Sequence, residues 1–116
     1  MIPKYIKKRD GKIDRFDPYR VRNAISKAVR SVQIESEEEA TEKIFASVID
    51  QINLSFNDTN YPKIADIESI IIEKAINTGY VSVAKSYQAY RDKRAEVRRV
   101  LSIATNIGDR STTDAA

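Results

Sequence analysis

The sequence predicts a mainly α-helical α+β fold: a four-helix bundle capped by a small two- or three-stranded β-sheet built from an N-terminal hairpin. Three observations predict it. Asp10-Gly11 stands between two short extended runs, and glycine accepts the positive φ that such a turn needs. Four later stretches carry apolar residues at the spacing of one helix face, each bounded by a start or stop signal. The chain has 116 residues, enough for one hydrophobic core and not for a second, catalytic domain.

Tyr5 to Arg9 and Lys12 to Phe16 are the two hairpin arms. Asp17 is placed to cap a helix and Pro18 to occupy its first position, where the missing N–H costs nothing. Val21, Ile25, Ala28, Val29 and Val32 form the inner face of this first helix. Ser36 followed by Glu39 reads as a capping box opening the second, with Ala40, Ile44, Val48, Ile49 and Ile52 inward. Residues 53–63 are rich in turn formers and read as a loop, with a third short strand near Tyr61 to Ile64. The third helix is expected from Asp66 to Thr78, with Ile67, Ile70, Ile71 and Ala75 inward and Gly79 as its stop. Ser82 is a candidate cap for the fourth. That helix, from Val83 to Leu101, sets Val83, Tyr87, Tyr90, Arg94, Val97 and Leu101 on one stripe, an arginine interrupting an apolar and aromatic face. The domain is thus expected over residues 1–101. Residues 102–116 lose the apolar period and read as a flexible tail or linker to a catalytic body not included in the chain.

Composition narrows the chemistry. With no cysteine the chain has no disulfide, thiolate zinc site, iron–sulfur cluster or thiyl radical. With no histidine it lacks the commonest metal ligand and the commonest general base near neutrality. No metal site made of protein side chains is expected, nor catalysis by this chain. No apolar run is long enough to span a bilayer, no N-terminal stretch is of signal-peptide type, and the expected location is cytoplasmic. The net charge of +3 hides an uneven distribution: residues 1–30 hold ten Lys/Arg against three Asp, residues 35–50 six acids against one Lys. A local basic excess favours a small anionic ligand over a long nucleic acid.

The segment IKKRDGKIDRFDPYRV places that excess beside a helix start, where free amides and the positive end of the dipole attract anions. Strand alternation sends Lys8 to the face opposite Lys7 and Arg9, so only part of the cluster faces one site. The plain alternative is an edge strand guarded by lysines. Arg20 tips the balance, because a cation in the first helical turn opposes the dipole unless an anion lies near. Asp17 reads as a cap, and Asp14 as either a surface charge or an acceptor for a ribose hydroxyl. Arg91, Lys93, Arg94, Arg98 and Arg99 also suit the C-terminal half of a helix, and Tyr87 and Tyr90 also suit a core. Walker and Rossmann glycine motifs are absent.

Together, IKKRDGKIDRFDPYRVRNAISKA and INTGYVSVAKSYQAYRDKRAE resemble the two halves of the ATP-cone domain, in the right order and at the right separation over residues 3–96. ATP-cones are regulatory modules found mostly at the N-terminus of ribonucleotide reductases. The resemblance implies phosphate contacts from Lys8 and Arg9, an acidic position at Asp14, a basic residue at Arg20 and Val21 beside the base or sugar, with Ile6 and Phe16 flanking. It implies an apolar wall and polar contact at Ile64, Ile67 and Glu68, and a far side made by Tyr90, Lys93 and Arg94. A Ser or Thr often begins the third helix in this family, whereas Ile64-Ala65 stand there here. The implied ligands are ATP as activator and dATP as inhibitor, with Mg2+ carried on the phosphates. The implied partners are a reductase catalytic or radical-generating subunit and further copies of the chain, assembling in a nucleotide-dependent way. The competing reading is a small basic helical domain that binds nucleic acid or regulates transcription in response to nucleotide; the acids of the second helix count against it.

Overall fold

A computed structural model describes residues 2–115, and their side chains over residues 2–103. Its order is β1 (Tyr5–Lys7), β2 (Ile13–Arg15), α1 (Pro18–Ser31), α2 (Glu37–Ser55), α3 (Ile64–Asn77) and α4 (Val81–Ala115). The expected architecture is present: four helices and a two-stranded antiparallel sheet.

Each helix packs on the next in sequence, and α4 closes the cycle against α1. The inward stripes meet in one core, in which Ile25, Val29, Ile44, Val48, Ile52, Ile71 and Val83 are fully buried. Ile49, expected inward, is only half-buried, and Thr41 is buried instead. Outside the core, Arg22 ties α1 to α2 by reaching both Glu38, at 2.9 Å, and Glu42.

The hairpin pairs Tyr5 with Arg15, Ile6 with Asp14 and Lys7 with Ile13. Its loop is Arg9–Gly11, closed by Lys8 N–H to Lys12 O at 2.8 Å and Gly11 N–H to Lys8 O at 3.0 Å. Gly11 alone in this loop has positive φ, +85°, so the turn is the three-residue form ending in a glycine bulge. The third strand expected near Tyr61 to Ile64 shrinks to one parallel bridge, Lys7 to Lys63, with Lys7 N–H donating to Pro62 O at 2.9 Å. Pro62 has no N–H to extend that ladder.

Asp17 caps α1 as expected, accepting the Tyr19 N–H at 3.0 Å. The capping box at Ser36 does not form: with φ −107° and ψ 66° its side chain makes no cap bond, and Glu39 pairs instead with Lys43 at 2.9 Å, one turn on. Helix α3 starts two residues early, at Ile64, because the Asp66 carboxylate reaches back to the Lys63 N–H at 2.9 Å. Gly79, at φ +93°, ends it: the Tyr80 N–H bonds Ala75 O at 2.8 Å and the Gly79 N–H bonds Ile76 O at 3.0 Å, a Schellman arrangement. Tyr80 then accepts the first bond of α4, from the Ala84 N–H at 3.1 Å, so Ser82 lies inside the first turn and is not the cap.

The stripe on α4 is buried only at its start. Val83, Ala84 and Tyr87 are buried, while Tyr90, Val97 and Leu101 are exposed. The helix itself continues to Ala115, past the end at Leu101 that the apolar period suggests. No proline interrupts residues 102–115, and the single glycine there, Gly108, costs a helix only about 1 kcal/mol.

Candidate functional site

Strand alternation aims Ile6 and Lys8 of the first arm, and Asp14 and Phe16 of the second, toward the bundle. Beneath them lies a cleft of about 230 Å³ whose other walls come from the starts of α1 and α3 and the middle of α4. Arg20 and Val21 enter from α1, Ile64, Ile67 and Glu68 from α3, and Tyr87 and Arg94 from α4. Lys8 and Arg15 of the hairpin, Arg20 of α1 and Arg94 of α4 thus line one cleft with an apolar floor, together with Asp14, Asp17 and Glu68. A second hollow of about 400 Å³ adjoins it between α1 and α4 and shares Arg20, Ala24, Glu68, Tyr87 and Arg94.

The charges are arranged in pairs. Lys8 Nζ lies 3.5 Å from Asp14, and Arg9 reaches across from the hairpin loop to Glu68 at 2.8 Å. The Arg15 N–H, 2.8 Å away, holds the Asp14 carboxyl below the usual carboxylate range, with the charges of Lys8 and Arg20 adding to it. Among the described residues Arg20 has no carboxylate in ion-pair contact. It sits at the third position of α1, where the dipole is unfavourable to it, so an anion beside it relieves that conflict. Arg94 lies 5.6 Å over the ring of Tyr90, a cation–π contact that leaves its charge available.

Tyr87 forms the wall common to both hollows. Burial pushes its phenol up to about 12, the nearby Glu68 and Tyr90 reinforcing the rise and Arg91 and Arg94 opposing it. Neutral near pH 7 as any phenol is, it serves as a packing surface and not a base. The neutral form is favoured in the folded chain, so its contribution is intact below the ordinary phenol value of 10.0 and is lost as pH rises toward 12. Tyr87→Phe is expected to flatten the alkaline fall in melting temperature over that window, read by circular dichroism; an unchanged slope would refute this role.

Of the residues singled out from sequence, Ile6, Lys8, Asp14, Phe16, Arg20, Val21, Ile64, Ile67, Glu68 and Arg94 line the cleft. Arg9 stands at its edge through Glu68, and Tyr90 lines the adjoining hollow, half exposed. Lys93 is not brought to either; it lies with Tyr90, Arg94, Val97 and Arg98 on the outer side of α4. Sequence reasoning did not assign Arg15, Asp17, Ala24, Ile71 or Tyr87 to the site, although Tyr87 stands one turn from both Tyr90 and Ala84. Asn23, Lys27, Ser31 and Ser86 of the second hollow also escaped it. Their signal was the spacing of Arg20, Asn23, Lys27 and Ser31 down one face of α1.

Among the described residues no three His, Cys, Asp or Glu side chains gather as a metal site, and no helix is long and apolar enough to cross a membrane. The model of the ATP cone domain family matches residues 4–96, from the hairpin to the part of α4 that lines the cleft. Hairpin, bundle, cleft and match agree: the chain belongs to the ATP-cone family of nucleotide-binding, non-catalytic regulatory domains.

Proposed function

We propose that this domain senses ATP against dATP and sets the activity of a ribonucleotide reductase, ATP switching it on and dATP off. The convergence of Lys8, Arg20 and Arg94 over an apolar floor is the observation that carries this reading. Lys8, Arg9 and Arg20 would hold the phosphates, with Arg94 meeting them from α4. Val21, Ile64 and Ile67 would pack against the base or sugar, and Asp14 or Glu68 would accept from ribose hydroxyls. The donor set fits a nucleotide because it offers both cations and acceptors. Mg2+ would be held by the phosphates, in keeping with its preference for them over an all-protein cage.

ATP and dATP differ at one hydroxyl, so the two must favour different arrangements of the domain with its neighbours, and the expected output is a change in oligomeric state. A tenfold shift needs only about 1.4 kcal/mol of differential binding. The partner would be a catalytic or radical-generating reductase subunit in the cytoplasm, with the segment from Ser102 leading toward it. Calorimetry with ATP, dATP and GTP under magnesium, joined to light scattering, tests this. Adenine nucleotides are expected to bind and GTP poorly; no binding, or GTP equal to ATP, would sink the proposal.

The Arg9–Glu68 pair gives a further expectation. A ligand must draw Arg9 from Glu68 before that guanidinium reaches phosphate. Glu68→Gln keeps an acceptor oxygen and removes the competing charge, so ATP affinity should rise about two- to fivefold, as suits a partly exposed pair. Weaker binding in this variant would show that the carboxylate's charge serves the ligand directly.

A further inference from the structure

The α4 stripe leaves the bundle without changing its period. Val83, Tyr87, Tyr90, Arg94, Val97 and Leu101 alternate steps of four and three residues, the spacing at which one helix faces another. The first two are buried by the bundle; Tyr90, Val97 and Leu101 are 51%, 48% and 60% exposed. A hollow on this exposed stretch is lined by α4 alone, and Tyr90, Lys93, Arg94 and Val97 in it stand at i, i+3, i+4 and i+7. Those are the four positions that receive one knob from a facing helix.

The flanks indicate what faces it. Arg91 and Arg98 border the stripe on one side and Lys93 on the other. Of the nearby carboxylates, Glu96 is taken by Arg99 at 2.6 Å, and Asp92, two residues before Arg94, falls on the opposite side of the helix from the stripe. A second copy of α4 would set like charges against one another, which disfavours self-pairing. We infer that this face docks an acidic amphipathic helix of another polypeptide, with apolar knobs along its seam and carboxylates on its flanks.

The surface is wired to the cleft through one residue, and this part rests on the nucleotide-binding reading. Arg94 lines both the cleft and the knob hollow, and its Nη1 lies 3.4 Å from the Tyr90 hydroxyl. A guanidinium drawn toward phosphate is withdrawn from the docked helix. Nucleotide and acidic helix therefore weaken each other, by the same factor in both directions.

The test uses the full chain and a synthetic peptide of about four heptads, with Leu on the seam and Glu on both flanks. A peptide of the same composition with the leucines scrambled is the control. The seam peptide is expected to bind about tenfold or more tighter than the control, and ATP to weaken it severalfold. In a Val97→Glu, Leu101→Glu double variant, docking is lost while ATP binding stays unchanged, since neither residue lines the cleft. Equal binding of the scrambled peptide overturns the proposal. So does self-association that the double variant abolishes, or preferential binding to phosphatidylserine-containing vesicles. Docking without any nucleotide binding would sink the nucleotide reading and leave the surface standing. Nucleotide binding with no effect on the docked peptide would sink the coupling through Arg94.

Discussion

Arg20→Ala is expected to weaken ATP binding by about 1.5–3 kcal/mol, roughly ten- to hundredfold, the worth of a charge-assisted hydrogen bond in a partly enclosed site. Lys8 and Arg9 each have a carboxylate partner and must exchange one anion for another, so their net gain is reduced. Arg20 makes no such exchange, and it is held at the start of α1 by the Asp17 cap, close to the walls of both hollows. Loss of the cation should also relieve its conflict with the dipole, leaving the stability of the folded domain unchanged or slightly raised. Calorimetry on wild type and variant reads the first effect and thermal melting the second. Unchanged affinity would mean that the phosphates lie elsewhere.

Ile44→Ala should act in the opposite sense, on stability and not on affinity. Ile44 is fully buried at the middle of α2, and it lines neither hollow. Removing its branched side chain forfeits burial and leaves a cavity that four packed helices only partly close, at a cost of about 2–5 kcal/mol. Against a total stability on the order of 5–15 kcal/mol, that is a large fraction, and the melting temperature should fall by on the order of 10 °C. Urea denaturation measures it. A loss under about 1 kcal/mol would show that the bundle repacks freely around α2.

The helices were legible because apolar spacing is a local property. Ile25, Ile44 and Ile71 could be assigned to the core from their neighbours three and four positions away, and Gly79 as a stop from its own freedom at positive φ. The convergence of Lys8, Asp14 and Arg20 was partly legible for the same reason, since hairpin alternation and a capped helix start are both short-range. The Arg9–Glu68 pair was not: it joins residues 59 apart, and only the packing of the hairpin on α3 decides which carboxylate the loop arginine meets. The unmade cap at Ser36 was equally hidden, because Glu39 has a competing lysine one turn along and the sequence contains both options. The position of Lys93, outside the cleft, depends on how α4 is rotated against α1, which its stripe constrains only where the core grips it. Membership of the family needed both ends of the chain, because each motif alone is an ordinary hairpin or an ordinary helix.

The hairpin that roofs the cleft has strands of three residues, largely exposed, held to the rest of the fold by one backbone bridge, the Arg9–Glu68 pair and the packing of Ile6 and Phe16 on the core. Such an element can detach at a fraction of the free energy of global unfolding, giving up the Arg9–Glu68 pair and the contacts of Ile6 and Phe16 with the core. On the nucleotide-binding reading, a ligand would enter as this roof lifts, and its phosphates would hold the roof down once bound. Backbone amide exchange should accordingly be fast in β1 and β2 and slow in α2, with nucleotide slowing the first far more than the second. A sensor built this way answers changes in its effector at the rate of a local fluctuation, while its scaffold stays fixed as a reference for whatever it touches.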